Sequence, residues 1–185
     1  MALTLNGSAN TIAGVAVGGL PDGIVDTDML AASAVTAAKR GAGAILQVVT
    51  GSTTTSVASS SSSHTDTGLT CSITTTTNSS KVFVTVSQAI YCRNPGGSTY
   101  SRAGIHYDLV RDSTVIQDGV DNIMLWGATY SPYIVTAQMA GIVHLDTPGN
   151  AGTYTYKTTG ANVDGNWKAQ DNSSPSHMIL MEIGA

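Results

Sequence analysis

The sequence predicts an all-β protein, an antiparallel β-sandwich of jelly-roll type preceded by a thin N-terminal segment, and three observations carry that prediction. From residue 81 onward, short runs alternate apolar and polar residues. Turn residues separate these runs at intervals of roughly 10 to 15 residues. No amphipathic helical period interrupts them, and about eight strands at such spacing favour two stacked antiparallel sheets.

Composition narrows the class further. The chain has 185 residues, enough for one domain and an appendage. Only 11% of them are charged, less than half the usual share of about 25%, so much of the surface is expected to lie against other chains. A net charge of −4, with eight scattered Lys and Arg, excludes a phosphate-binding surface, and no nucleic-acid partner is expected. No apolar run reaches the length of a membrane span, and the N-terminus has neither a basic start nor an unbroken apolar stretch, so neither membrane insertion nor a secretory signal is predicted.

Residues 1–45 differ from the rest: all seven Tyr and both Trp lie beyond residue 90. Val15, Val25, Val35 and Ile45 are spaced by ten, and Leu20 and Leu30 share the interval. At ~100° per residue, ten residues turn about 1000°, roughly 80° short of whole turns, so one straight helix would spread these positions around its circumference. They fit better as single anchors at which several identical chains meet around one axis, with Ala and Gly as spacers. A short helix over 26–40, capped by Asp26 or Thr27, is the alternative for that window, and the segment is expected to be extended or partly helical.

Residues 46–185 supply the strands of the head. The Ser/Thr run at 52–68 suits a loop or exposed edge. In KVFVTVSQAIYC (81–92), positions 82, 84, 86, 90 and 92 form one apolar face, and NPGG ends the run. Arg111-Asp112-Ser113 joins two further runs as a hairpin. YIVTAQMAGIVHLDT is a long alternating run broken by Gly141, TPGN turns the chain into TYTYKTT, and the closing SHMILMEIGA reads as a strand buried within the sandwich. Strand parity places Cys71 with Leu69 and Ile73, and Cys92 with Ile90 and Val86, so both read as buried reduced thiols outside any zinc spacing.

Chemistry-bearing residues are few. His106 with Asp108, and His144 with Asp146, each share a strand face and are weak candidates for a divalent metal; two ligands per chain without a third more often form a hydrogen-bonded pair. No GxSxG elbow occurs, and Glu182 is the sole Glu, so neither a serine hydrolase nor a paired-carboxylate glycosidase is predicted. No enzyme activity and no cofactor are expected. Trp126, Tyr130, Tyr133 and Trp167 lie among turn residues and beside Asp, Asn and Lys. They are candidate contacts for a sugar or a protein, with core or subunit-seam packing as the alternative.

The segments GLPDGIVDTDMLA and SAVTAAKRGAGAILQVV resemble the decapeptide shaft repeats of bacteriophage tail fibres. TGLTCSITTTTNSSKVFVTVSQ, LVRDSTVI, LDTPGNAGTYTYKTTG and MILMEIGA resemble, in order, blocks of the C-terminal domain carried by such fibres, so the resemblance covers essentially the whole chain. It implies a homotrimeric virion protein, assembled in the bacterial cytoplasm, with an attachment segment at 1–45 and a head similar in topology to C1q-like and TNF-like heads. The implied partners are other virion proteins of tail, baseplate or capsid, and a glycan or protein of the host surface. Arg40 departs from the repeat, which usually has an apolar residue there, and the shaft is short for a long fibre. A capsid decoration or cement protein, or a short head fibre, is the alternative that this shortness keeps open.

Overall fold

A computed structural model describes residues 4–6, 11–13, 35, 39–94, 101–119, 123–127 and 134–184. The chain divides into two compact units, Met1–Arg40 and Gly41–Ala185. In the first, β1 (Thr4–Asn6) and β2 (Thr11–Ala13) form an antiparallel pair with Leu5 opposite Ile12. Val35 is exposed, whereas Val15, Leu20, Val25 and Leu30, and most of the 26–40 window, lie outside the described residues. Ile45 belongs to the second unit, where it opens a strand.

The second unit is all-β, with two antiparallel sheets. Its strands are β3 (Ile45–Thr53), β4 (Val57–Ser59), β5 (Thr65–Thr75), β6 (Lys81–Asn94), β7 (Ser101–Arg111) and β8 (Thr114–Gln117). They continue as β9 (Ile123–Gly127), β10 (Ile134–Asp146), β11 (Gly152–Asp164), β12 (Asn166–Ala169) and β13 (Ser176–Ile183). Among the described residues of this unit, the only helical element is a 3-10 turn at Asp171–Ser173.

The long strand β6 organises the first sheet. One edge pairs with β10 from Val82 to Asn94; the other takes β13 along Lys81–Ser87 and then β12 along Ile90–Arg93. β3 and β4 flank β13 and β12 in turn. The second sheet runs β5, β11, β7, with β8 and β9 sharing the far edge of β7. Counting β8 with β9 as one position, and setting aside the short β4 and β12, the sheets run first-eighth-third-sixth and second-seventh-fourth-fifth in chain order.

The period-two pattern sends one face of each sheet inward. Val82, Val84, Val86, Ile90 and Cys92 of β6 are buried, as the alternation predicts, and join one core with Leu69, Cys71 and Ile73 of β5 and Ile105, Tyr107 and Leu109 of β7. Gly165, with φ +88°, lets the chain leave β11 in the second sheet and enter β12 in the first. A Cβ there would lie 2.2 Å from the Arg93 carbonyl oxygen, so only glycine fits this corner.

The hairpin at 112–113 forms where the sequence places it, with Arg111 opposite Thr114 and Asp112 in the left-handed region. The Ser/Thr run is part loop and part sheet edge, as its polarity suggests: it holds the end of β3, all of β4 and the start of β5, each at the end of its sheet's strand order. The closing strand β13 occupies an interior position between β3 and β6, yet only alternate residues are buried. Its continuous apolarity arises because the outward face of its sheet is apolar as well.

Candidate functional site

The two sheets present opposite chemistry to the outside. On the first, register aligns Val48, Met181, Phe83 and Leu145 in one row across β3, β13, β6 and β10. The next row is Thr50, Ile179, Thr85 and Val143. Val143 is 67% exposed, and Val48 and Leu145 are each 51% exposed. Scattered exposed aliphatic residues are ordinary, but one row of four apolar side chains, with Ile179 and Val143 beside it, forms a contiguous apolar patch of the kind that marks an interaction surface.

The outward face of the second sheet carries hydroxyl pairs and charges. Ser72 Oγ meets Thr155 Oγ1 at 2.9 Å, Thr74 Oγ1 meets Thr153 Oγ1 at 2.8 Å, and Lys157 Nζ lies 2.8 Å from Asp66 Oδ1. Such a face is already satisfied in water.

Further along the first sheet, away from these apolar rows, lies a groove of about 360 Å³. Ala89 and Tyr91 of β6 and Ala137 and Met139 of β10 line it beside Asp171 and Asn172 of the 3-10 turn. The turn holds Gln170, Asn172 and Ser173 at φ 54°, 53° and 58°, a left-handed conformation that non-glycine residues adopt at a cost of about 1 kcal/mol or more each.

A buried polar network holds the turn in place. Gln170 N–H donates to the Ala89 carbonyl at 3.0 Å. The fully buried Gln170 amide directs its nitrogen to the carbonyls of Thr67 (3.0 Å) and Thr55 (3.1 Å). Its oxygen accepts from Gln88 Nε2 (2.6 Å) and Ser176 Oγ (2.9 Å). Gln88 Oε1 accepts in turn from Thr158 Oγ1 at 2.7 Å and from the Tyr107 hydroxyl, whose pKa burial raises. With its members paired, the network fixes the turn against the sheet. Lys168 Nζ lies 3.2 Å from Asp171 Oδ1 and 5.6 Å from the centroid of the Tyr91 ring.

The aspartates of the two His/Asp pairs enter separate polar clusters. Asp108, 4% exposed, accepts from the Gly119 N–H at 2.9 Å and lies 3.0 Å from His64 Nδ1, so its partner is His64 of the loop before β5. Asp146 receives Arg111 Nη1 on both oxygens and the Tyr156 hydroxyl at 2.7 Å. That contact and burial push the Tyr156 pKa up. Among the described residues, no three His, Cys, Asp or Glu side chains converge on a point that could hold a metal ion.

Of the candidate contact residues, Trp167 is fully buried, opposite Cys92 on β6 and Ser59 on β4. It is a core residue and offers no surface to a partner, because the four-residue β12 points Trp167 and Ala169 inward. Trp126 lies in β9 with its backbone paired to Arg102 of β7, while Tyr130 and Tyr133 lie outside the described residues. Tyr91, Met139, Asp171 and Asn172 were not singled out by sequence reasoning. The parity of β6 sends Tyr91 outward and so offers a signal; the turn at 170–174 offers none, since only its tertiary anchors give it shape.

Glu182, the sole Glu, is also fully buried. Its carboxylate accepts from Thr76 N (2.6 Å), Thr76 Oγ1 (2.8 Å), Ser80 Oγ (2.6 Å) and Gln47 Nε2 (2.7 Å). Burial alone would raise its pKa, but these donors together hold it below the ordinary value. The residue ties β13 to β3 through Gln47 and to the β5–β6 turn through Thr76 and Ser80. Comparison of the chain with protein-family models and with curated proteins finds no match.

Proposed function

We propose that this chain is a structural protein of a bacteriophage particle: a homotrimeric tail fibre that attaches by its N-terminal segment and binds the host cell surface through its β-sandwich head. The observation that carries this reading is the chemical asymmetry of the two sheets. A chain with net charge −4 repels its own copies over most of its surface, yet the rows around Val143 and Leu145 have no charge to repel. Placing these rows against their symmetry mates removes them from water at roughly 25 cal/mol per Å².

Two further features support the head. The chain order of the strands, first-eighth-third-sixth against second-seventh-fourth-fifth, is that of a jelly roll, the architecture the tail-fibre resemblance implies. The ten-residue spacing of Val15, Val25 and Val35 also suits several chains around one axis better than one helix, although Ile45, the fourth position of that spacing, belongs to β3. On this reading the chain works by binding, with no catalysis and no cofactor, and three heads per fibre raise the effective concentration of weak contacts at the host surface.

Light scattering on the purified chain tests the trimer. The wild type is expected at three times the monomer mass, and Val143→Glu at the monomer mass with an unchanged far-ultraviolet dichroism spectrum. A wild-type monomer at micromolar concentration overturns the reading. Density for the chain on the tail of the particle supports a fibre; density on the shell transfers it to capsid decoration.

A further inference from the structure

We propose that the groove between β6, β10 and the 170–174 turn is a saccharide site that takes one neutral pyranose ring. The chemistry of the lining selects this class. A pyranose has one face of C–H bonds that packs on apolar and aromatic side chains, and a rim of hydroxyls that both donate and accept. The groove offers the Tyr91 ring, Ala89, Ala137 and Met139 for the first, and Asp171, Asn172 and Ser174 for the second. Its volume of about 360 Å³ stands at the small end of ligand pockets, which suits a single ring.

The polar groups are fixed before any ligand arrives. Lys168 holds the Asp171 carboxylate, and the Ser174 N–H closes the turn on the Asp171 carbonyl at 3.1 Å. Gln170 roots it in the buried network described above. Three of the four non-glycine residues with positive φ among the described residues lie in this one turn. A turn that spends this strain to hold Asp171 and Asn172 beside an aromatic ring lowers the ordering cost that binding would otherwise carry. The one charged group of the lining, Asp171, is already paired with Lys168 beside the groove, which favours a neutral ligand over an ionic one.

Position agrees with this use. The chain enters β3, the first strand of the second unit, at Ile45, which pairs with Ile183, itself opposite Lys81 of β6. Tyr91 lies ten residues along the same strand, about 30 Å away. The groove thus lies far from the chain entry and shares no residue with the apolar rows. That it meets a host glycan rests on the fibre reading; that it binds a pyranose does not.

Saturation-transfer NMR on the full chain tests the site, with the methyl glycosides of glucose, galactose, mannose and N-acetylglucosamine as probes. Saturable transfer to at least one of them is expected, weakened at least tenfold in Tyr91→Ala and in Asn172→Gly. The glycine variant removes the amide while keeping the left-handed backbone. Ser72→Ala, on the opposite sheet, is expected to bind as the wild type does. No transfer to any glycoside at tens of millimolar overturns the proposal, as does transfer that both groove variants leave unchanged. Normal adsorption of particles carrying Asn172→Gly, with glycoside binding lost, leaves the site standing and removes the host-binding reading. Weakened adsorption with no glycoside bound by the wild type does the reverse.

Discussion

Arg111 of the second sheet and Asp146 of the first join the two sheets, with one guanidinium nitrogen, Nη1, 2.7 Å and 2.6 Å from the two carboxylate oxygens. The Tyr156 hydroxyl completes the cluster from β11. Because Asp146 is buried and Arg111 only partly exposed, removing either partner leaves a charge with little solvent. Arg111→Met is expected to cost about 3 kcal/mol in urea unfolding, and Asp146→Asn a similar amount. The double variant is expected to cost less than the sum. Additive losses in a double-mutant cycle would show that the pair does not couple the sheets.

Glu182 makes the protein acid-sensitive. Its folded pKa lies below the ordinary value of 4.5, so its contribution is complete above that value and is lost as pH falls through the folded pKa. Melting temperature is expected to fall between about pH 5 and pH 3. In Glu182→Gln the amide nitrogen faces donors, which costs about 2 kcal/mol at neutral pH and flattens the acid limb. An acid limb as steep as that of the wild type would refute this assignment.

Both cysteines are buried and free, and burial pushes the Cys92 thiol up to about 12 and raises Cys71. The thiolate is the reactive form, so neither is expected to react with an aromatic disulfide reagent at pH 8 in the native protein. Both should react once guanidinium unfolds the chain. Labelling of Cys92 in the native state at the rate of a free thiol would contradict its burial.

Trp167 is expected to behave as a core residue. Trp167→Ala should lose about 3–5 kcal/mol of stability through the cavity it leaves, visible in denaturant unfolding. Its Nε1 is buried and has no hydrogen-bond partner among the described residues, so Trp167→Phe should cost markedly less, since it removes an unpaired donor together with the lost contacts. Equal costs for the two variants would show that the indole nitrogen is paired.

The sequence by itself determined which residues of a strand share a face. Alternation from Val82 to Cys92 identifies the inward side of β6, and the same parity buries Cys71 with Leu69 and Ile73. The hairpin at Asp112 and Ser113 was legible too, because turn chemistry is written in adjacent residues. Parity also sends Tyr91 outward, so the strand wall of the groove could be read in advance, though not its use.

Only the tertiary structure decided which residues meet across the core and what lies on the outside. Gln47 reaches Glu182 over 135 positions, and Arg111 reaches Asp146 over 35. Trp167 lies in a strand of four residues, too short for a period to declare its face, and docking of β12 on β6 buried it. The left-handed turn at 170–174 is likewise held by Thr55, Thr67 and Gln88, all distant in sequence. Alternation is a local property, carried from one residue to the next. Burial of a polar group depends on partners that arrive from elsewhere in the chain, and their arrival gives Asp146, Glu182 and the groove their character.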